Sequence, residues 1–210
     1  VEALLDRCAK AEQKALRLDD AAFLPFALIW PKTRSAYLAW LAEHEASGAR
    51  YISGEVKKEF AIMVSGKTVK LIGTLDRVDK DVNSGENWLL DYKTEALDKT
   101  KKRIKNAEDK NGNADTQLAF YAALVRGDGS SDAPIRAAYV NLAERAKGVQ
   151  TTQTIELADI EFRREALLDG IWDDLSSMAA GEGLKATGVQ DGGEACTFCA
   201  ARGLCRRDFV

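Results

Sequence analysis

Two short runs carry side chains able to do chemistry together: Gly73-Thr74-Leu75-Asp76-Arg77-Val78-Asp79 and Leu89-Leu90-Asp91-Tyr92-Lys93-Thr94. On a strand, residues two apart share a face, so Asp91 and Lys93 point one way and Tyr92 the other. A hairpin centred on Ser84-Gly85 pairs Asn83 with Glu86 and predicts Asp76 opposite Lys93 and Val78 opposite Asp91. The same exercise at Ser65-Gly66 puts Glu55 opposite Asp76. Two carboxylates about 4 Å apart repel by roughly 4 kcal/mol at an effective dielectric of 20. A lysine offsets part of that, and a divalent cation offsets more. Mg²⁺ is commonly held by one or two carboxylates, with water and phosphate oxygens completing its shell. A lysine beside it can orient or deprotonate a water, or neutralise charge developing on phosphate. The set Asp76, Asp91 and Lys93, with Glu55 as a weaker candidate ligand, therefore suits phosphodiester hydrolysis. The plain alternative is a surface strand with ordinary charges. Leu89 and Leu90 oppose it, because they mark a central strand where an unpaired charge is costly.

A second cluster lies near the carboxy terminus, where Cys196, Cys199 and Cys205 fall within ten residues. Outside an oxidising compartment such spacing reads as metal binding, by zinc or by an iron–sulfur cluster, and three thiolates need a fourth ligand. Cys8 is the remaining cysteine. Its setting, Leu5-Asp6-Arg7-Cys8-Ala9, reads instead as a small buried hydrophobe on a helix.

The elements that must position these residues follow from hydrophobic period. Residues 1 to 54 read as a helical segment, with Pro31 fitting the first turn of its later helix. Val56, Phe60, Ile62 and Val64 begin a meander of three strands, continued by Val69 to about Asp79 and by Trp88 to Lys93. Asp98 to Lys110 is polar and lysine-rich, a solvated helix or loop. Ala114 to Val125 reads as a helix, Ile135 to Leu142 and Gln150 to Leu157 as strands, and Ile160 to Ala180 as a long helix. This order predicts an α/β fold with a central mixed β-sheet flanked by helices. The expected divisions are 1–54, a core over 55–186, and a cysteine-rich tail over 187–210.

With 210 residues, a net charge of −3, and 46% hydrophobic and 30% charged residues, the composition is that of a globular domain. It argues against a histone-like polyanion binder while permitting a local basic strip. Neither a membrane-spanning run nor a leader pattern is seen, so a cytoplasmic setting and no membrane partner are expected. Opening on Val1 inside a helical pattern, the sequence reads as part of a longer chain. Gly-x-x-x-x-Gly-Lys-[Ser/Thr] does not occur, so ATP-driven unwinding would fall to another segment or subunit.

Taken together, Gly-x-x-Asp-Arg ending at Arg77, Asp91-Tyr92-Lys93-Thr94, and Gln117 with Tyr121 closely resemble the PD-(D/E)XK nucleases, and among them the RecB/AddB-like exonuclease group. The resemblance implies a restriction-endonuclease-like core and a Mg²⁺- or Mn²⁺-dependent deoxyribonuclease, an exonuclease of DNA repair and recombination. Asp76 and Asp91 become metal ligands, Lys93 the catalytic lysine, and Gln117 and Tyr121 residues near the site and the DNA strand. It also implies that Cys196, Cys199 and Cys205 hold a [4Fe-4S] cluster with one upstream cysteine, for which Cys8 lacks the family's setting. The implied partners are DNA, single-stranded or an unwinding duplex end, and a helicase subunit or domain. Lys99, Lys101, Lys102, Arg103 and Lys105 would track the backbone, with Arg206 and Arg207 beside the cluster. The family's upstream histidine finds no match in His44, which reads as a solvated helix residue between Glu43 and Glu45. Two rival readings remain: a catalytically inactive nuclease-fold module that binds DNA or scaffolds a helicase–nuclease complex, and a redox iron–sulfur protein without a nucleic-acid role.

Overall fold

A computed structural model describes residues 1–108, 115–127, 129, 132–142, 144–145 and 149–182. The elements run α1 (Glu2–Ala15), α2 (Asp20–Ala46), β1 (Ala49–Val64), β2 (Lys67–Asp81), β3 (Asn87–Lys93), α3 (Leu97–Glu108), α4 (Gln117–Gly127), β4 (Ile135–Asn141), β5 (Glu144–Arg145), β6 (Val149–Gln150), β7 (Gln153–Leu157) and α5 (Ile160–Ala179). Five strands form a mixed sheet in the order β1-β2-β3-β4-β7, and β5 pairs with β6. β3 and β4 are parallel, whereas β2 and β3, and β4 and β7, are antiparallel. The α/β architecture is the one expected, a central mixed sheet flanked by helices.

Two compact units emerge, and β1, β2 and α3 contribute to both. The first comprises Val1–Val56, Thr74–Lys102 and Ala133–Ala158. Its core gathers Trp40 of α2 with Leu90 of β3 and Ala138 and Val140 of β4, flanked by Tyr37, Leu41, Trp88 and Tyr92. Residues 37, 40, 41 and 44 form one helical stripe, which is how α2 presents a single face to these strands. The second unit comprises Lys57–Gly73, Arg103–Asp132 and the described part of Asp159–Val210. There α4 packs closely on β2. A Cβ on Gly73 would stand 2.8 Å from Leu124 Cδ1 and 3.2 Å from Phe120 Cε1. Glycine in the first motif is thus a packing requirement.

Several expectations are corrected. Pro31 does not open a helix: both Pro25 and Pro31 lie inside α2. An interior proline removes a helical hydrogen bond. Asp6 of α1 spans the second interruption, accepting from Trp30 Nε1 at 2.9 Å on one side and from Arg34 Nη1 at 2.6 Å on the other. These bonds, from Trp30 and then Arg34, hold the Asp6 carboxyl below the ordinary carboxylate value. Cys8 is exposed rather than buried, since α1 buries none of its residues. Of the two alternatives for the lysine-rich run, the helix is seen as far as Glu108, as α3. Cys196, Cys199, Cys205, Arg206 and Arg207 lie outside the described residues.

Candidate active site

Site geometry starts at the turn joining β2 to β3. Asp81 Oδ1 accepts the backbone N–H groups of Asn83 and Ser84 at 2.7 and 3.2 Å, a side-chain-built turn. Asp81 N–H then donates to the Glu86 carbonyl at 2.9 Å, and Gly85, with φ of +77°, completes the reversal. The loop is therefore longer than a two-residue turn at Ser84-Gly85. Val78 pairs with Leu89 and Arg77 with Leu90, and continuing that ladder by one residue sets Asp76 across from Asp91. The predicted pairing of Asp76 with Lys93 is off by two residues. A two-residue slip leaves every side chain on its face, so the three charged groups still share one side.

On that side, Lys93 Nζ lies 2.7 Å from Asp91 Oδ2, and the Asp91 side chain is 2% exposed. Asp76 Oδ2 accepts the Tyr92 backbone N–H at 3.0 Å, which ties the β2 carboxylate to the segment between Asp91 and Lys93. The parallel neighbour β4 adds Tyr139, paired with Asp91, and Asn141, paired with Lys93. The Tyr139 ring centroid stands 4.8 Å from Lys93 Nζ. Asn141 Nδ2 donates to Thr100 Oγ1 at 2.7 Å and to the Glu95 carbonyl at 2.9 Å, pinning the start of α3 beside the end of β3.

Glu55 is placed differently from the other acids. Ser65 and Gly66 both have positive φ, as a tight two-residue hairpin turn requires. Glu55 itself sits at φ +51°, and a left-handed residue inside a strand marks a bulge. Gly54, not Glu55, lies against Asp76: a Cβ there would come 3.0 Å from the Asp76 carbonyl oxygen. The Glu55 side chain is exposed. Among the described residues, no group of three or more His, Cys, Asp or Glu side chains is disposed to hold a metal ion, so Glu55 does not join Asp76 and Asp91 in a three-ligand set.

In the second unit, Gln117 begins α4, where its N–H donates to Asp115 Oδ1 at 3.1 Å. One helical turn on, Gln117 Nε2 donates to the Tyr121 hydroxyl at 3.2 Å, and Tyr121 is 7% exposed. Lys99, Lys101, Lys102, Arg103 and Lys105 are exposed on α3, and Arg103 pairs with Asp115 at 3.0 Å.

The opposite face of β2 and β3 carries a network the sequence reading missed. Asp79 is fully buried and accepts from Arg77 Nε at 2.8 Å and from His44 Nε2 at 2.9 Å. Arg77 Nη1 reaches the hydroxyls of Tyr37 and Tyr92 at 3.1 and 3.2 Å. His44 is thus an inward-facing residue stacked on Trp40, with its side chain 8% exposed, and not a solvated one. Burial pushes the Asp79 carboxyl up, but hydrogen bonds from His44 and Arg77 outweigh it and hold the group below its ordinary value. For Arg77, burial acts against the charge, yet the bond to Asp79 prevails and raises its pKa. Burial raises Tyr92, with Tyr37 adding to it. The signal available in sequence was the stripe Tyr37-Trp40-Leu41-His44, which places the histidine on the apolar face.

No helix among the described residues is long and apolar enough to cross a membrane. The search of curated proteins finds no match. One solved structure to which the chain is similar is titled "Crystal structure of SSO0001"; it is 20% identical, with 77% of this chain and 67% of that one covered and a TM-score of 0.38. The family model of the PD-(D/E)XK nuclease superfamily matches residues 1–206. With that match over nearly its whole length, the chain belongs to the PD-(D/E)XK nuclease superfamily and has its α/β, restriction-endonuclease-like fold.

Proposed function

We propose that this chain is a Mg²⁺- or Mn²⁺-dependent deoxyribonuclease, an exonuclease of the RecB/AddB-like kind, whose reacting centre is Asp76, Asp91 and Lys93. The observation that carries the reading is the joint placement of these groups on β2 and β3: Lys93 Nζ at 2.7 Å from Asp91, and Asp76 tied to the Tyr92 N–H at 3.0 Å. The donor atoms that the two carboxylates offer are oxygens, and the Asp91 side chain is 2% exposed. That oxygen-only donor set fits a hard divalent cation better than a soft one. Asp76 and Asp91 would hold the ion. When bound, it would polarise the phosphodiester and lower the pKa of an attacking water.

The chain's own residues do the rest. Lys93 supplies a positioned ammonium where charge develops on the phosphate, and its tether to Asp91 removes the cost of orienting it during reaction. Gln117 and Tyr121, linked to each other on α4, are the residues that the family resemblance assigns to the DNA strand. Lys99, Lys101, Lys102, Arg103 and Lys105 neutralise backbone phosphates, with Arg206 and Arg207 added from the carboxy-terminal segment. Single-stranded DNA or an unwinding duplex end suits a strip of this kind, with a helicase as the partner that delivers it. The [4Fe-4S] assignment to Cys196, Cys199 and Cys205 rests on the resemblance of their motif to the family's iron–sulfur cysteines, and Cys8, exposed on α1, lacks the setting of the family's upstream ligand.

The test is cleavage of end-labelled linear DNA with Mg²⁺, alongside calorimetric Mg²⁺ titration. Lys93→Ala should lower the rate by about 10²- to 10⁴-fold, and Asp91→Ala should abolish the metal-binding heat. Wild-type cutting by Lys93→Ala would overturn the assignment. Unchanged Mg²⁺ affinity in Asp91→Ala would leave a DNA-binding or scaffolding module of the same fold.

A further inference from the structure

We infer that Tyr139 is a positioning residue for Lys93, acting through the face of its ring. The inference rests on the reading of Lys93 as the reacting ammonium. Tyr139 occupies β4 directly beside Asp91, on the side of the sheet that bears Asp76, Asp91 and Lys93, and is 1% exposed. Lys93 Nζ stands 4.8 Å from its ring centroid, within the range at which an ammonium is drawn to an aromatic face. The lysine side chain is 16% exposed, so this contact forms away from bulk water, where such attraction is strongest.

The ring supplies something Asp91 cannot. Asp91 holds the ammonium at 2.7 Å only while its oxygen is given to the lysine. Were the same carboxylate to hold a divalent cation, its hold on the ammonium would weaken. A π-face has no oxygen that a hard cation would seek, so its grip on Nζ persists in both situations. It is also uncharged, so it fixes the lysine without adding to the crowding of acids around it. Fixing one long, rotamer-rich side chain in advance removes a cost otherwise met on the way to the transition state. Neighbouring Asn141 is already committed to Thr100 and the Glu95 carbonyl.

Tyr139→Leu and Tyr139→Phe in the full chain separate ring from hydroxyl. Tyr139→Leu should lower kcat for DNA cleavage by about tenfold with KM changed by less than about twofold, and Tyr139→Phe should restore kcat to within about twofold of wild type. Independently of activity, the ε-methylene protons of Lys93 should show an upfield ring-current shift by NMR in wild type and Tyr139→Phe, lost in Tyr139→Leu. If Tyr139→Leu does not fold, as judged by its melting curve, the first two spectra decide alone. Normal ε-methylene shifts in wild type would overturn the inference, as would a folded Tyr139→Leu with wild-type kcat. Should Lys93→Ala itself cut normally, the function reading fails. If Lys93→Ala is inactive and Tyr139→Leu is unimpaired, only the role of Tyr139 fails.

Discussion

The two faces of the β2–β3 hairpin treat charge in opposite ways. On the back face, every charge is matched: Arg77, Asp79 and His44 are joined by bonds of 2.8 and 2.9 Å, roofed by Trp40 and closed by two tyrosine hydroxyls. On the front face, Asp76 and Asp91 are set across from each other, and Lys93 pairs with Asp91 at 2.7 Å. A buried pair completed by further hydrogen bonds is costly to break, and it fixes which strands and helix meet. The front-face acids and lysine lie on adjoining strands and, on the proposed function, serve a cation rather than the fold.

Breaking the back face should give the largest effect on stability. Asp79→Asn leaves Arg77, 6% exposed, without its carboxylate, and should destabilise the chain by about 3–5 kcal/mol in urea unfolding. A loss below about 1 kcal/mol would erase the contrast between the faces. The same variant carries a pH signature. Because the folded Asp79 carboxyl is held below its ordinary value, its stabilisation is complete above about pH 3.9 and is lost as pH falls through the lower folded value. The stability gap between wild type and Asp79→Asn should therefore narrow as pH drops below about 4. A gap that stays constant across acid pH would show that the charge on Asp79 is not what stabilises. The smallest expected change comes from the front face. Asp76→Asn relieves repulsion with Asp91 and keeps an oxygen for the Tyr92 N–H, so stability should move by less than about 1 kcal/mol while Mg²⁺-dependent cleavage collapses. A large loss of stability there would mean that Asp76 serves the fold as Asp79 does.

Legibility followed the range of the interactions. Asp91 and Lys93 share a face by strand alternation alone, and that face survived a register error because two residues is one full period of a strand. The error came from Asp81, whose side chain lengthened the turn, a local competition that hydrophobic pattern does not record. Glu55 was misplaced because it is itself the left-handed residue within β1, where alternation is interrupted at a position that glycine does not occupy. His44 was misread because its partner lies 35 residues away and its flanking glutamates point outward. The helix through Pro31 was missed for the same reason, since Asp6 secures it from another element. Tyr139 carries no motif and becomes visible only once β4 lies parallel to β3.

Tyr92 has a divided allegiance. Its amide anchors the acid of the neighbouring strand on one side, and its phenol braces a guanidinium on the other. Any substitution other than proline retains the first link and severs the second. The position should therefore tolerate changes that cost rigidity long before it tolerates a proline, whose missing hydrogen would release Asp76 at once.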